Sequence, residues 1–430
     1  MKRTKQIRAV SLLILILLLV ACAPLSNPAG ISSTIADPVK SETGITAGLP
    51  AIISSEIPIN GVKTPLITST VVPSSTPIAT PTELPIDTYI AYIQDEEIHV
   101  THVVGGQPVD TRVYTEPGTN DWILKIGWSP SGEYISFLMF TPDSFHHLFL
   151  VNIIDGGPLI DLGIASDWAW SPDSKWIAFE HEYELWIYSP GGGKPRQLTN
   201  HLGTDWLWYQ PEFTPSGDAI VAAGTFSNAM DRNGNTKYQL FRVPVDGSAV
   251  NSYPPTGLTA ITDEISGRLP LDIQFSPDGK KLAMITSGYD GTCATYATYQ
   301  IGNSDGSDLH ELKVTSLAEL GGIEQKMYFY GDSMAWTPES DGLWVTGLIR
   351  DCGKSFGIVG GPQISRVTLN GQEHEIIPGD YQQVSVDHTG NLLGVVNRWG
   401  VPLKSRVQIL GWDGHVVLNL GEGDQPVLQP

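Results

Sequence analysis

The chain has 430 residues, with 46 acidic side chains against 25 basic ones and a formal net charge of −21. So acidic a protein repels phosphate backbones, which excludes nucleic acid as an expected ligand and names no other partner by itself. All 38 aromatic residues lie beyond residue 88, so the packed core belongs to the last four-fifths of the chain.

Residues 1–21 read as an export signal, with basic Lys2, Arg3, Lys5 and Arg8 before an apolar run over 9–20 that is too short for a comfortable membrane span. The run ends in Leu19-Val20-Ala21-Cys22, which resembles the lipobox of bacterial lipoprotein signals. The resemblance implies cleavage before Cys22, acylation of its sulfur and of the new amino group, and an extracytoplasmic protein anchored by lipid to a cell membrane or outer membrane. The alternative is an ordinary secretion signal with an incidental cysteine. Loss of the four basic residues with the signal leaves a mature charge of −25.

Residues 22–86 begin at Cys22 and contain ten Pro, nine Ser and nine Thr, six charged residues and no aromatic. That composition cannot bury enough surface to offset its ordering entropy, so a disordered tether is expected, spanning about 45 Å as a coil.

The remainder, 87–430, is built from one repeated pattern, clearest over 167–199: a strand at 168–171, a turn at Pro172-Asp173-Ser174, strands at 176–179 and 185–188, a turn at Gly191-Gly192-Gly193, and a strand at 196–199. The first strand and its turn recur at Trp128-Ser129-Pro130-Ser131-Gly132, Phe213-Thr214-Pro215-Ser216-Gly217, Phe275-Ser276-Pro277-Asp278-Gly279 and Trp336-Thr337-Pro338-Glu339-Ser340, with a degenerate copy at Val386-Asp387-His388-Thr389-Gly390. Third strands end at Asp155-Gly156, Asp246-Gly247, Asp305-Gly306, Asn370-Gly371 and Asp413-Gly414. These residues resemble the WD40-like repeats of the TolB family of β-propellers. The resemblance implies an all-β propeller of four-stranded blades with protein or peptide partners.

The pattern begins out of phase: 89–92, 98–102 and 111–114 read as second, third and fourth strands with no first. At the other end Val427-Leu428-Gln429-Pro430 matches the missing strand. Pairing it with the beginning removes two open sheet edges and makes a seven-bladed β-propeller closed by the C-terminal strand. Six blades is the alternative, because the copy at 384–390 has lost its Ser-Pro.

Cys293 and Cys352 fall in equivalent loops of consecutive repeats. In an exported protein a disulfide between them is expected, worth roughly 4 kcal/mol by chain entropy; two unrelated loop cysteines is the alternative.

Turns between first and second and between third and fourth strands share one face, where they are short. The other face carries the long connections at 224–237, 254–270, 286–296, 313–333 and 347–362, and long loops on a rigid scaffold are where binding residues sit. The ligand-binding candidates there are Trp206, Trp208, Tyr209, Asp231, Tyr289, Asp290, Tyr328, Tyr330, Asp332, Arg350 and Asp351, since aromatic rings beside carboxylates suit sugars, peptides or cationic groups. For Trp208 and Tyr330 the competing reading is a ring that covers the blade packing.

No catalytic constellation, metal site or cofactor is expected. Gly331-Asp332-Ser333-Met334-Ala335 precedes a strand with no helix after it, unlike a nucleophile elbow. Cys352-Gly353-Lys354-Ser355 lacks a phosphate loop's glycine, and His146-His147 are adjacent. The oxygens at 231–235 lack the glutamate of a calcium loop. No recurrent inward His or carboxylate set is read from the repeats. A binding or scaffold module for a protein, peptide or glycan of the cell envelope is the expectation; a hydrolase or lyase acting on extracellular polysaccharide is the alternative.

Overall fold

The computed structural model describes residues 86–114, 123–141, 145–200, 205–230, 236–251, 258–267, 270–288, 296–312, 327–330, 333–351, 358–399 and 404–430, all within one compact unit, Thr80–Pro430. The export signal, Cys22, the tether through residue 85, Asp231, Tyr289, Asp290, Cys293, Asp332 and Cys352 lie outside the described residues.

Twenty-nine strands form seven antiparallel sheets, and none of the described residues is helical. Blade one contains β1 (Asp87–Gln94), β2 (Glu97–Val104) and β3 (Gln107–Tyr114); blade two β4 (Ile123–Trp128), β5 (Tyr134–Phe140), β6 (His146–Asn152) and β7 (Ile160–Ile164). Blade three has β8 (Trp168–Trp170), β9 (Ile177–His181), β10 (Glu184–Tyr188) and β11 (Arg196–Gln197); blade four β12 (Trp206–Phe213), β13 (Ala219–Phe226), β14 (Thr236–Pro244) and β15 (Ile265–Gly267). Blade five has β16 (Asp272–Phe275), β17 (Lys281–Gly288), β18 (Tyr296–Asn303) and β19 (His310–Glu311). In blade six the first strand is split into β20 (Met327–Tyr330) and β21 (Met334–Trp336), followed by β22 (Gly342–Asp351), β23 (Ile358–Thr368) and β24 (Glu373–Pro378). Blade seven has β25 (Tyr381–Val386), β26 (Leu392–Trp399), β27 (Lys404–Gly411) and β28 (Val416–Glu422), and the chain ends in β29 (Asp424–Leu428).

β29 is the first strand of blade one, which settles both blade number and closure. It pairs with β1 at Ile90↔Leu428 and Ala91↔Val427. The Gln429 amide donates to the Tyr89 carbonyl at 2.8 Å, and Trp128 Nε1 of blade two donates to the Val427 carbonyl at 2.8 Å. Pro426, buried in this strand, gives up an amide only on an innermost edge, where no further strand needs it.

Seven hydrophobic clusters fill the seven gaps between neighbouring blades. The strand period of two explains how one strand serves both neighbours: on β17 Leu282 and Met284 pack toward blade four, while Ala283 and Ile285 pack toward blade six. Both faces being buried, second and third strands read as nearly continuous apolar runs.

The first turns lock blade to blade. Ser171 Oγ accepts from the Trp176 amide at 2.9 Å and donates to Asp173 at 2.8 Å. In blade seven the Asp387 carboxylate accepts from the Leu392 amide at 2.9 Å, so a different oxygen does the serine's work and the degenerate copy remains a full blade. The fourth turn position takes a positive φ, which glycine adopts without strain; at Gly390 (φ 72°) an added Cβ would lie 3.0 Å from Pro338 of the preceding blade. Where serine stands there instead, as Ser174 (φ 58°) and Ser340 (φ 61°), its hydroxyl accepts an amide from the preceding blade, Ser131 at 2.8 Å and Asp278 at 3.0 Å.

Candidate functional site

The first strands stand around the axis of the ring and touch one another, β29 against β4, β8 against β12, β12 against β16, and β25 against β21 and β29. Four residues before the Ser, Thr or Asp that opens each first turn stand Lys125, Asp167, Gln210, Asp272, Ser333 and Gln383, and four before Gln429 stands Gln425. All seven are polar, whereas the residues one later are all apolar, as alternation along a half-lined wall requires. Each first strand runs from the long-loop face toward the short-turn face, so the seven lie toward the long-loop mouth of the channel. At Gln210 (φ 51°) and Gln425 (φ 52°) β-bulges hold the backbone in the left-handed region.

Charge concentrates on blades two to five. Lys125 Nζ donates to Asp167 Oδ1 of the next blade at 2.6 Å and sits 4.9 Å from the centre of the Trp168 ring. Its side chain is 43% exposed and that of Asp167 7%, so the lysine lines the channel and the carboxylate lies in the wall. Burial alone would lower the Lys125 pKa, but Asp167, Asp272 and Glu212 override it and hold the ammonium above its ordinary value. The carboxyl of Asp272 is pushed up to about 6 by burial, with Lys125 restraining the rise and Asp167 adding to it. Glu212, two residues closer to its turn, is raised well above the carboxylate range by burial and then by Asp272. The group therefore sets one ammonium among the carboxyls of Asp167, Asp272 and Glu212, the last two of which burial makes reluctant to ionise.

A fourth carboxyl continues the arc. Glu180 of β9 is 4% exposed, and burial pushes its pKa up to about 8, with Asp167 and Glu184 adding to the rise. Its amide donates to the Asp167 carbonyl at 3.0 Å, its Oε1 accepts from the Tyr183 amide at 2.7 Å, and Ser166 Oγ bonds its other oxygen. Tyr183 closes the tight β9–β10 turn with positive φ, its carbonyl accepts from the Trp208 amide at 3.1 Å, and its ring meets Tyr209 edge-on at 5.8 Å. Both tyrosines remain partly exposed. Burial, with Tyr183 and Glu180 contributing, raises the Tyr209 phenol above its ordinary value. Two aromatic rings thus stand beside a cluster of carboxyls, several with raised pKa values, an arrangement that offers stacking area and hydrogen-bond donors and acceptors.

Of the sequence-expected residues, Tyr209 belongs to this arc. Trp206 (5% exposed) and Trp208 (1%) do not reach solvent: β12 is eight residues long and carries both into the gap between blades three and four, against Phe241 at 5.5 and 5.6 Å. That removes them from any surface offered to a ligand. Tyr328 and Tyr330 stand in register with Arg350 and Leu348 on β20 and β22, and Asp351 with Met327; there the backbone alone is described. The repeats show no recurrent inward His or carboxylate set, yet Lys125, Asp167, Glu212, Asp272 and Glu180 share one electrostatic field. The signal was the uniformly polar place four residues before each turn. Among the described residues no group of three or more His, Cys, Asp or Glu is arranged to hold a metal ion.

No family model and no curated protein matches the chain. Among solved structures, TolB from Acinetobacter baumannii is 16% identical, with 80% of this chain and 67% of that chain covered and a TM-score of 0.40. The chain is a seven-bladed β-propeller with TolB among its structural neighbours. An oligogalacturonate lyase in complex with manganese is 11% identical over 76% of this chain and 82% of that one, TM-score 0.48. A puromycin-hydrolyzing peptidase of Mycobacterium tuberculosis is 14% identical over 68% of this chain and 44% of that one, TM-score 0.49. The likeness is one of fold alone.

Proposed function

We propose that the chain is an extracytoplasmic lipoprotein, held to a cell membrane or outer membrane through Cys22 and its tether, whose propeller binds a protein, peptide or glycan of the cell envelope at the long-loop mouth of the channel. The carrying observation is the meeting of Lys125 and Asp167 across two blades at 2.6 Å, with Asp272 and Glu212 of the next two blades in the same field. A half-exposed lysine facing carboxyls from separate blades, one of them buried in the wall, is costly to the fold, and such cost is commonly retained for ligand contact. Tyr183 and Tyr209 supply the apolar face that sugar rings and peptide side chains stack upon. Anchoring rests on the sequence 1–22. The test is radiolabelled palmitate incorporation together with a Cys22→Ser variant: label lost with the cysteine supports the anchor, and an unlabelled, freely secreted parent chain refutes it.

A second reading, hydrolysis or lysis of extracellular polysaccharide, draws support from carboxyls whose pKa burial raises, Glu180 to about 8 and Glu212 well above its ordinary value, in one arc with Asp167 and Asp272. Acid and base of that kind are what glycosidic cleavage uses. Assaying glycan breakdown with Glu212→Gln and Asp272→Asn separates the two: product formation that both substitutions abolish favours the enzyme, and unaltered polysaccharide with reduced retention by the variants favours the binding module.

A further inference from the structure

The outermost strand of each blade is an open edge, and β3, with eight residues, is the longest of the seven; the others have between two and seven. Seven of its eight residues are exposed, among them Val109 (58%) and Val113 (48%). Proteins usually blunt such an edge with proline, lysine or a bulge. Here Pro108 and the bulged Val109, left without a partner between His102↔Asp110 and Val103↔Pro108, blunt the end beside the hairpin turn, leaving Asp110-Thr111-Arg112-Val113 open.

The backbone of this stretch faces outward at Thr111 and Val113. Thr101 and Thr111 stand opposite each other with their hydroxyl oxygens 2.9 Å apart, the close spacing of an antiparallel pair that exchanges no backbone bonds. The N–H and C=O of Thr111 therefore point away from β2, and by alternation so do those of Val113. Asp110 and Arg112 turn their side chains toward blade two, where Arg112 Nε donates to Asp110 at 3.2 Å and Nη1 to the Ile153 carbonyl at 3.2 Å.

We infer that β3 pairs antiparallel with β3 of a second copy of this chain about a twofold axis through Thr111. The core of the stretch, Asp110-Thr111-Arg112, is complementary to itself under that rotation. Thr111 exchanges two backbone hydrogen bonds with the partner's Thr111, and Asp110 stands opposite the partner's Arg112. The two charge pairs fall at the close, non-bonded positions, where opposite charges stabilise and like charges repel most. Moving the axis by one residue sets aspartate against aspartate or arginine against arginine and turns the open backbone groups inward, so the register is specified by repulsion as well as attraction. The next longest edge, β28, reads Val416-Val417-Leu418-Asn419-Leu420-Gly421-Glu422, is bulged twice, and has no such symmetry. The dimer is isologous and joins two blades into one eight-stranded sheet.

Sedimentation equilibrium of the full chain in density-matched detergent tests this. The parent chain should dimerise, and Asp110→Arg or Arg112→Asp alone should each weaken dimerisation about tenfold or more, because each reversal makes both cross-strand pairs repulsive. An equimolar mixture of the two variants should dimerise again, since every cross-strand pair is then opposite in charge. Thr111→Pro, which removes the outward amide hydrogen together with the hydroxyl that meets Thr101, should also give monomer, and melting curves establish that each variant is folded. A parent chain that stays monomeric, a dimer indifferent to the reversals, or a mixture that fails to recover would overturn the inference.

Discussion

Lys125 and Asp167 meet at 2.6 Å although they belong to different blades, and the contact is made where the sheets face the axis of the ring. The lysine is shared: it neutralises Asp167 and also restrains the carboxyls of Asp272 and Glu212. Lys125→Met should therefore destabilise the chain by about 1–3 kcal/mol, the penalty of leaving a buried carboxylate without its partner. Urea denaturation measures that loss, and carbon-13 titration of the side-chain carboxyls should show Asp272 moving upward from about 6.

Glu180 gives stability an unusual dependence on pH. Its pKa is about 8 when folded against an ordinary 4.5, so across that window the folded chain keeps a proton that the unfolded chain has released. Stability must fall as pH rises from 4.5 to 8. The turn carboxylates Asp173, Asp218 and Asp278 work in the opposite sense: hydrogen bonds, first those from Lys175, Ser216 and Lys280, hold them near 2 against an ordinary 3.8, and the stability they add is lost as pH falls through that range. Thermal melting against pH should peak in the mildly acidic range, and Glu180→Gln should flatten the alkaline side. A melting temperature that climbs from pH 5 to 8 would contradict this.

Closure makes a third prediction. Deleting residues 426–430 removes Leu428 from the cluster between blades seven and one and the Trp128 contact to Val427. The loss should be about 3–5 kcal/mol from buried surface and hydrogen bonds together, felt by the whole ring because it reopens two edges. Unchanged melting would refute it.

Much of this fold was legible because its strongest signals are local. The Ser-Pro-Asp-Gly turns carry their own hydrogen-bond logic, so they mark blades wherever an oxygen and a positive-φ residue recur. Asp387 shows the limit of reading letters, since the serine is gone while its acceptor role survives. Trp206 and Trp208 were misleading because they follow a loop in sequence, and only the eight-residue length of β12 carries them inside. The charged arc was harder still. Lys125, Asp167, Glu212 and Asp272 are of three residue types and are separated by about a blade each, so no motif announces them. They become a group only when the ring closes.

Cys293 and Cys352, expected to form a disulfide between neighbouring blades, make a fourth prediction. Alkylation of the unreduced, denatured protein followed by peptide mass analysis should find both unlabelled and joined; two labelled cysteines would end the idea.

The claim on which the functional account depends is that the long-loop mouth around Tyr183, Tyr209 and the channel charges receives a ligand. Photo-crosslinking in intact cells from a benzoylphenylalanine placed at Tyr209 tests it most directly, compared with the same probe at Trp412 on the far, exposed rim of blade seven. The account predicts a discrete adduct from position 209 that fades when Asp272→Asn and Glu212→Gln are introduced, and none of that adduct from position 412. An adduct at 209 that is indifferent to both substitutions, or capture from 412 alone, would contradict it.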